Sequence, residues 1–225
     1  MDEQFEFLRS IVHRLEAAGI PYMLTGSLAL AVWARPRMTR DVDIVIEADH
    51  AAVARLLAAF AEDSYASPEV ANTAVTDRTM FNVIHLTSLL KADFILRRDE
   101  PFERTKFDRR RSVDVDGLQV TVISPEDLIL SKLQWASGTS SARMTDTSPA
   151  VEAHLRALYQ SRSPGQRLRM ATAMFASAKR LALAGLVYED ATRNASALRM
   201  ALLQRLHGEE LSLAIRATVA SRRTT

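Results

Sequence analysis

Asp41 and Asp43 stand two residues apart at the start of the apolar run Asp41-Val42-Asp43-Ile44-Val45-Ile46, and Gly26-Ser27 closes the earlier run Tyr22-Met23-Leu24-Thr25. In an extended strand, residues two apart project from the same face, so the two carboxylates lie side by side. Like charges held close repel unless a cation stands between them, and hard carboxylate oxygens suit magnesium. Small residues at a strand-to-helix turn let a phosphate approach backbone N–H groups at a helix N-terminus, where the helix dipole favours negative charge. Ser27 adds a hydroxyl donor. Asp93, in the run Lys91-Ala92-Asp93-Phe94-Ile95-Leu96, brings a third carboxylate. With its strand beside the other two it would complete a two-metal site, one ion activating an attacking hydroxyl and the other holding a triphosphate.

These groups need a sheet and helices to position them. Phe5, Leu8, Ile11, Val12 and Leu15 recur at helical spacing, which predicts an amphipathic helix over residues 2–18 that Gly19 ends. Strands are expected at 21–24, 41–46, 80–86 and 91–96, with a hairpin of 112–115 and 118–123 turning at Asp116-Gly117. A small helix over 28–34 stops before Pro36, a second covers 48–61, the polar stretch 64–77 reads as a loop, and a charged helix spans 101–111. Ser124-Pro125-Glu126-Asp127 supplies an N-cap, a first-turn proline and first-turn acids for a helix over 128–135. Beyond the Ser/Thr/Gly-rich passage from Gly138 to Pro149, helices are expected over 149–160, 164–184 with Gly185 as the stop, 195–206 and 209–219. The reading is α/β (α+β), a mixed central sheet flanked by helices over 1–138, a linker at 139–148 and a small basic all-helical domain over 149–225.

The 225 residues carry a net charge of +2 that divides unevenly, −4 over residues 1–144 and +6 over the remainder. A basic segment attracts polyanions, or it is simply the solvated face of Ala/Leu helices. With no cysteine, thiolate chemistry and disulfides are excluded. His13, His50, His85, His154 and His207 show no metal-ligand spacing. The acidic N-terminus lacks the character of a secretory signal, and no run of about 18 apolar residues occurs, so a cytoplasmic protein without a membrane partner is expected.

Gly-Ser, a short gap, Asp-x-Asp in a strand and a later strand aspartate resemble the nucleotidyltransferase fold of the DNA polymerase β superfamily. Arg37-Met38-Thr39-Arg40-Asp41-Val42-Asp43 is similar to the Arg-x-Thr-x-Asp-x-Asp of its small bacterial members, among them antibiotic nucleotidyltransferases and the toxins of AbiE abortive-infection systems. Ser124 to Leu133 resembles the helix after the sheet in those proteins, where a lysine faces the nucleotide. The resemblance covers roughly residues 5–137. It implies Asp41, Asp43 and Asp93 as magnesium ligands in a two-metal site, with Asp93 also the base for the acceptor. It further implies Gly26 and Ser27 on the triphosphate, joined by Arg37, Arg40 and Lys132.

The activity implied is transfer of a nucleoside monophosphate from a nucleoside triphosphate to a hydroxyl of a small molecule, a protein or an RNA end, toxin-like in the AbiE branch, with an antitoxin or other protein partner. The chain departs from its relatives after Trp135. They continue into a helix with an Arg-Gln-x-x-Asp-like pattern, whereas here Ser140-Ser141-Ala142-Arg143-Met144-Thr145-Asp146 leads to Pro149. The alternative function is therefore a catalytically impaired nucleotide-binding or interaction module. Affinity of the basic tail for nucleic acid is a third reading.

Overall fold

The computed structural model describes residues 3–34, 36–39, 41–137 and 157–207. One seven-stranded sheet runs in the order β3-β4-β5-β2-β1-β7-β6. Its strands are β1 Tyr22–Leu24, β2 Asp41–Ile46, β3 Ser64–Tyr65, β4 Met80–His85, β5 Lys91–Leu96, β6 Arg111–Val115 and β7 Leu118–Val122. β2 lies parallel to β5 and β1 parallel to β7, and the remaining neighbours are antiparallel, so the sheet is mixed. The helices that flank it are α1 Glu3–Ala17, α2 Gly26–Trp33, α3 His50–Phe60, α4 Pro68–Asp77, α5 Pro101–Asp108, α6 Pro125–Ser137, α7 Pro164–Glu189 and α8 Ala195–His207.

Alternation along β2 and β5 sorts the two faces. Val42, Ile44, Ala92 and Phe94 are fully buried, while Asp41 and Asp43 alternate with them and stay partly open. Phe94 stacks on Phe81 of β4 at 5.3 Å between centroids and meets Phe60 of α3 edge-on at 5.9 Å. This apolar packing fixes the strands, and the strands fix the carboxylates.

Two elements differ from the expectation. The stretch 64–77 is β3 followed by α4. Ser67 caps α4 by accepting from the Val70 N–H, Pro68 opens it, and Ala71, Ala74 and Val75 bury one narrow face. The helix is polar elsewhere, which hid its period. Gly185 lies inside α7, which runs on to Glu189. A mid-helix glycine costs about 1 kcal/mol against alanine, and burial of the next residue, Leu186, offsets it.

The tail does not keep a core to itself. Leu168, Ala171 and Phe175 of α7 and Leu203 and Leu206 of α8 join the same hydrophobic cluster as the sheet and α1. Helix α7 packs against α1, α2 and β6. By length and composition α7 could cross a membrane, which the sequence reading did not anticipate. The expected linker 139–148 lies outside the described residues, as do Arg143, Asp146, the helix over 209–219 and the first part of that over 149–160.

A shared core has a measurable consequence. Phe175→Ala, at a site 2% exposed, should lower the unfolding free energy by about 3–5 kcal/mol. Trp33 fluorescence and helical circular dichroism should shift together to lower urea. A shift in the helical signal alone would mean that the tail folds independently.

Candidate active site

The parallel register of β2 on β5 sets Asp41 opposite Lys91 and Asp43 opposite Asp93, and that of β4 on β5 sets Asn82 opposite Asp93. Paired residues in register share a face, so Asp41, Asp43, Lys91, Asp93 and Asn82 form one polar patch over the apolar core. Asn82 Nδ2 donates to Asp93 Oδ1 at 2.6 Å. The Lys91 ammonium stands 3.3 Å from Asp93 Oδ2 and 3.8 Å from Asp41 Oδ1.

The turn from β1 into α2 is built against this patch. The Thr25 N–H donates to the Asp43 carbonyl at 2.9 Å, and Gly26 follows with φ +68°. A Cβ on Gly26 would fall 2.0 Å from Asp43 Oδ2, so contact and conformation both demand glycine. The Ser27 backbone N–H, at the α2 N-terminus, lies close enough to the Asp43 carboxylate to favour its ionised form. Arg37 Nη2 donates to Ser27 Oγ at 2.5 Å.

On the far side, α6 is anchored at its N-terminus. Asp127, fully buried, accepts from Ser124 Oγ at 2.7 Å and from Arg109 Nη2 and Nε at 2.5 and 3.2 Å. This fork–fork pair fixes the helix rotation that turns Leu128, Ser131 and Lys132 toward α2. Thr25, Gly26, Ser27, Arg37, Asp43, Ile95, Leu128, Ser131 and Lys132 thereby line a cavity of about 420 Å³.

The structure thus gathers Gly26, Ser27, Arg37, Asp43 and Lys132 around one cavity and places Asp41 and Asp93 beside Asp43 on the sheet. Arg40 and His154 lie outside the described residues. His85 and His207 have structural partners, Ser88 Oγ at 2.7 Å and the Leu89 carbonyl at 2.8 Å. Sequence reasoning missed Lys91 and Asn82 on the patch and Ile95, Leu128 and Ser131 in the cavity lining. For Lys91 the signal was present, since Lys91-Ala92-Asp93 repeats the two-residue spacing of Asp41-Val42-Asp43.

Burial first, and then the charges of Asp93 and Asp41, push the Asp43 carboxyl up from 3.8 to about 6; Lys91 and the Ser27 N–H pull the other way. Three hard-oxygen donors crowded enough to retain a proton fit a divalent cation on the cavity side, at Asp43. Among the described residues no three such side chains are already drawn together as a metal centre, and Lys91 stands between two of the candidates.

The proton on Asp43 links the site to stability. The folded protein holds it up to about pH 6, whereas the unfolded chain releases it near 3.8. Folding therefore becomes less favourable as pH rises across that window, by about 3 kcal/mol once Asp43 is ionised. Asp43→Asn should be more stable than wild type at neutral pH, and urea titrations should show a flatter stability profile between about pH 4 and 6. A variant less stable than wild type at neutral pH would contradict this.

Residues 7–147 match the family model described as nucleotidyl transferase AbiEii toxin, type IV TA system. No curated protein matches the sequence significantly. Among solved structures, the chain is similar to a nucleotidyltransferase-type protein of Thermotoga maritima, at 16% identity and TM-score 0.44 over 71% of this chain and 94% of that one. It is similar to an antigenic nucleotidyltransferase-like protein from Paracoccidioides brasiliensis, at 18% identity and TM-score 0.47 over 88% of this chain and 93% of that one. A lincosamide antibiotic adenylyltransferase with lincomycin bound is similar at 12% identity and TM-score 0.43, over 72% and 97% of the two chains. With the family model spanning more than half of its length, the chain belongs to the AbiEii nucleotidyltransferase toxin family.

Proposed function

We propose that the protein transfers a nucleoside monophosphate from a nucleoside triphosphate to a hydroxyl acceptor with magnesium as cofactor. The observation that carries this reading is the meeting of Gly26-Ser27, Asp43, Arg37 and Lys132 around one cavity, with Asp41 and Asp93 beside Asp43. The Ser27 N–H and hydroxyl, at the positive end of α2, are suited to bind a phosphate oxygen. Arg37 and Lys132 both line the cavity and neutralise triphosphate charge. Asp43 supplies oxygens that would hold magnesium on the cavity side, with Asp41 and Asp93 adding negative charge beside it; magnesium when bound would lower the pKa of the acceptor hydroxyl and offset charge on the leaving pyrophosphate. Asp93, steadied by Asn82, accepts the acceptor proton as the new oxygen–phosphorus bond forms and pyrophosphate departs.

Ile95 and Leu128 give the cavity an apolar side against which the nucleoside lies. The acceptor is a small molecule, a protein or an RNA end, and the family model's toxin–antitoxin description supports a toxin held in check by an antitoxin. The alternative, a module that binds nucleotide without turnover, finds support in the ion pairs of Lys91, which occupy two of the carboxylates.

Incubation with labelled triphosphates and candidate acceptors discriminates the two. Magnesium-dependent labelling is expected, reduced about 100-fold or more by Asp41→Asn or Asp43→Asn. Expression should be toxic for wild type and harmless for either variant. Labelling that survives both substitutions would sink the enzymatic reading, and tight triphosphate binding without labelling would favour the binding module. Lys132→Ala should raise the KM for triphosphate more than it lowers kcat if Lys132 binds ground-state charge.

A further inference from the structure

Lys91 sits where a metal ion would be looked for. Its residue is 8% exposed, it faces Asp41 across the β2–β5 register, and it precedes Asp93 by two positions on the same strand. Its ammonium reaches Asp93 Oδ2 at 3.3 Å and Asp41 Oδ1 at 3.8 Å. A lysine is withdrawn from water at considerable cost and is retained there when paired with anions. Asp43, by contrast, turns to the cavity lined by Gly26, Ser27, Arg37 and Lys132, which Asp41 and Asp93 do not line. Lys91 is likewise not among the residues that line the cavity.

We infer that Lys91 is a built-in cation that takes the place of a second divalent ion, so that the site accepts one ion, on the cavity side at Asp43, together with the triphosphate. This rests on the magnesium-dependent nucleotide binding proposed above and deepens it. The Lys91 ammonium supplies positive charge between Asp41 and Asp93 without exchange, and a neutral side chain there exposes both carboxylates to a second cation. The attraction is one of place and charge, so arginine substitutes for it only in charge, whereas methionine removes charge while keeping length.

The test counts manganese ions bound per full-length chain in the presence of a non-hydrolysable triphosphate, by isothermal titration and by the electron paramagnetic resonance of bound manganese. Wild type should bind one ion and Lys91→Met two, the second giving the spin-coupled signal of a close ion pair. Lys91→Arg should remain at one. Two ions on wild type would overturn the inference while leaving the proposed function standing. No ion on wild type would overturn both. Lys91→Met binding a single ion would remove Lys91 as the excluding group. Circular dichroism establishes whether Lys91→Met is folded, and if it is not, the wild-type count alone decides between one ion and two.

Discussion

Repulsion among three carboxylates that the sheet forces together is the constraint around which this protein is arranged. The in-register pairing of β2 with β5 places Asp43 beside Asp93 and Asp41 beside Lys91, and the strands cannot slip because Val42, Ile44, Ala92 and Phe94 lie buried on the other face. The charges are answered locally. Lys91 lies between Asp41 and Asp93, Asn82 donates to Asp93, and the α2 N-terminus faces Asp43. Asp43 nevertheless keeps its proton up to about pH 6. A patch in that state has free energy to release on meeting a cation, and this links binding to stability.

The basic C-terminal helices use several of their cations within the fold. Arg199 donates to the Leu86 carbonyl, Lys179 to the Ser88 carbonyl at 2.8 Å and His207 contacts the Leu89 carbonyl at 2.8 Å. All three brace the turn that leads into β5, where Leu89 sits at φ +60°, a conformation that a branched side chain adopts only when its surroundings impose it. Arg167 Nε donates to the Val32 carbonyl at 3.0 Å, near the C-terminal end of α2. The tail thus holds both elements that carry the site, the strand with Lys91 and Asp93 and the helix that begins at Gly26-Ser27. Two of the tail's cations are also offset by acids outside it, Lys179 by Glu3 and Arg169 by Asp116, so the charge asymmetry by itself overstates the field available to a nucleic acid.

Much of the site was readable in the sequence because its spacing carries geometry. Two-residue spacing in Asp41-Val42-Asp43 put two carboxylates on one face, Gly26-Ser27 marked the turn, and Ser124-Pro125 with Asp127 marked the start of α6. The rest depended on pairings that no local pattern encodes. Asp93 joins the others only because β5 is the parallel neighbour of β2. Lys91 was passed over because lysines are rarely buried unless paired, and its anions come mainly from register. Helix α4 escaped because its buried face is narrow. The change in composition near 138 suggested a separate domain, but the helices beyond it contribute to one cluster with the sheet. Periodicity shows which face of a helix is apolar and leaves open what that face packs against.

On the proposed function, the cavity between α2 and α6 receives the triphosphate with a cation at the Asp43 carboxylate. A crystal structure of the full chain with manganese and a non-hydrolysable triphosphate, phased to show the manganese anomalous signal, tests it directly. The expected result is phosphate oxygens on the Ser27 N–H and hydroxyl, Lys132 and Arg37 within ion-pair distance of them, and anomalous density at Asp43. A nucleotide bound elsewhere, with no anomalous density on the carboxylate patch, would overturn it.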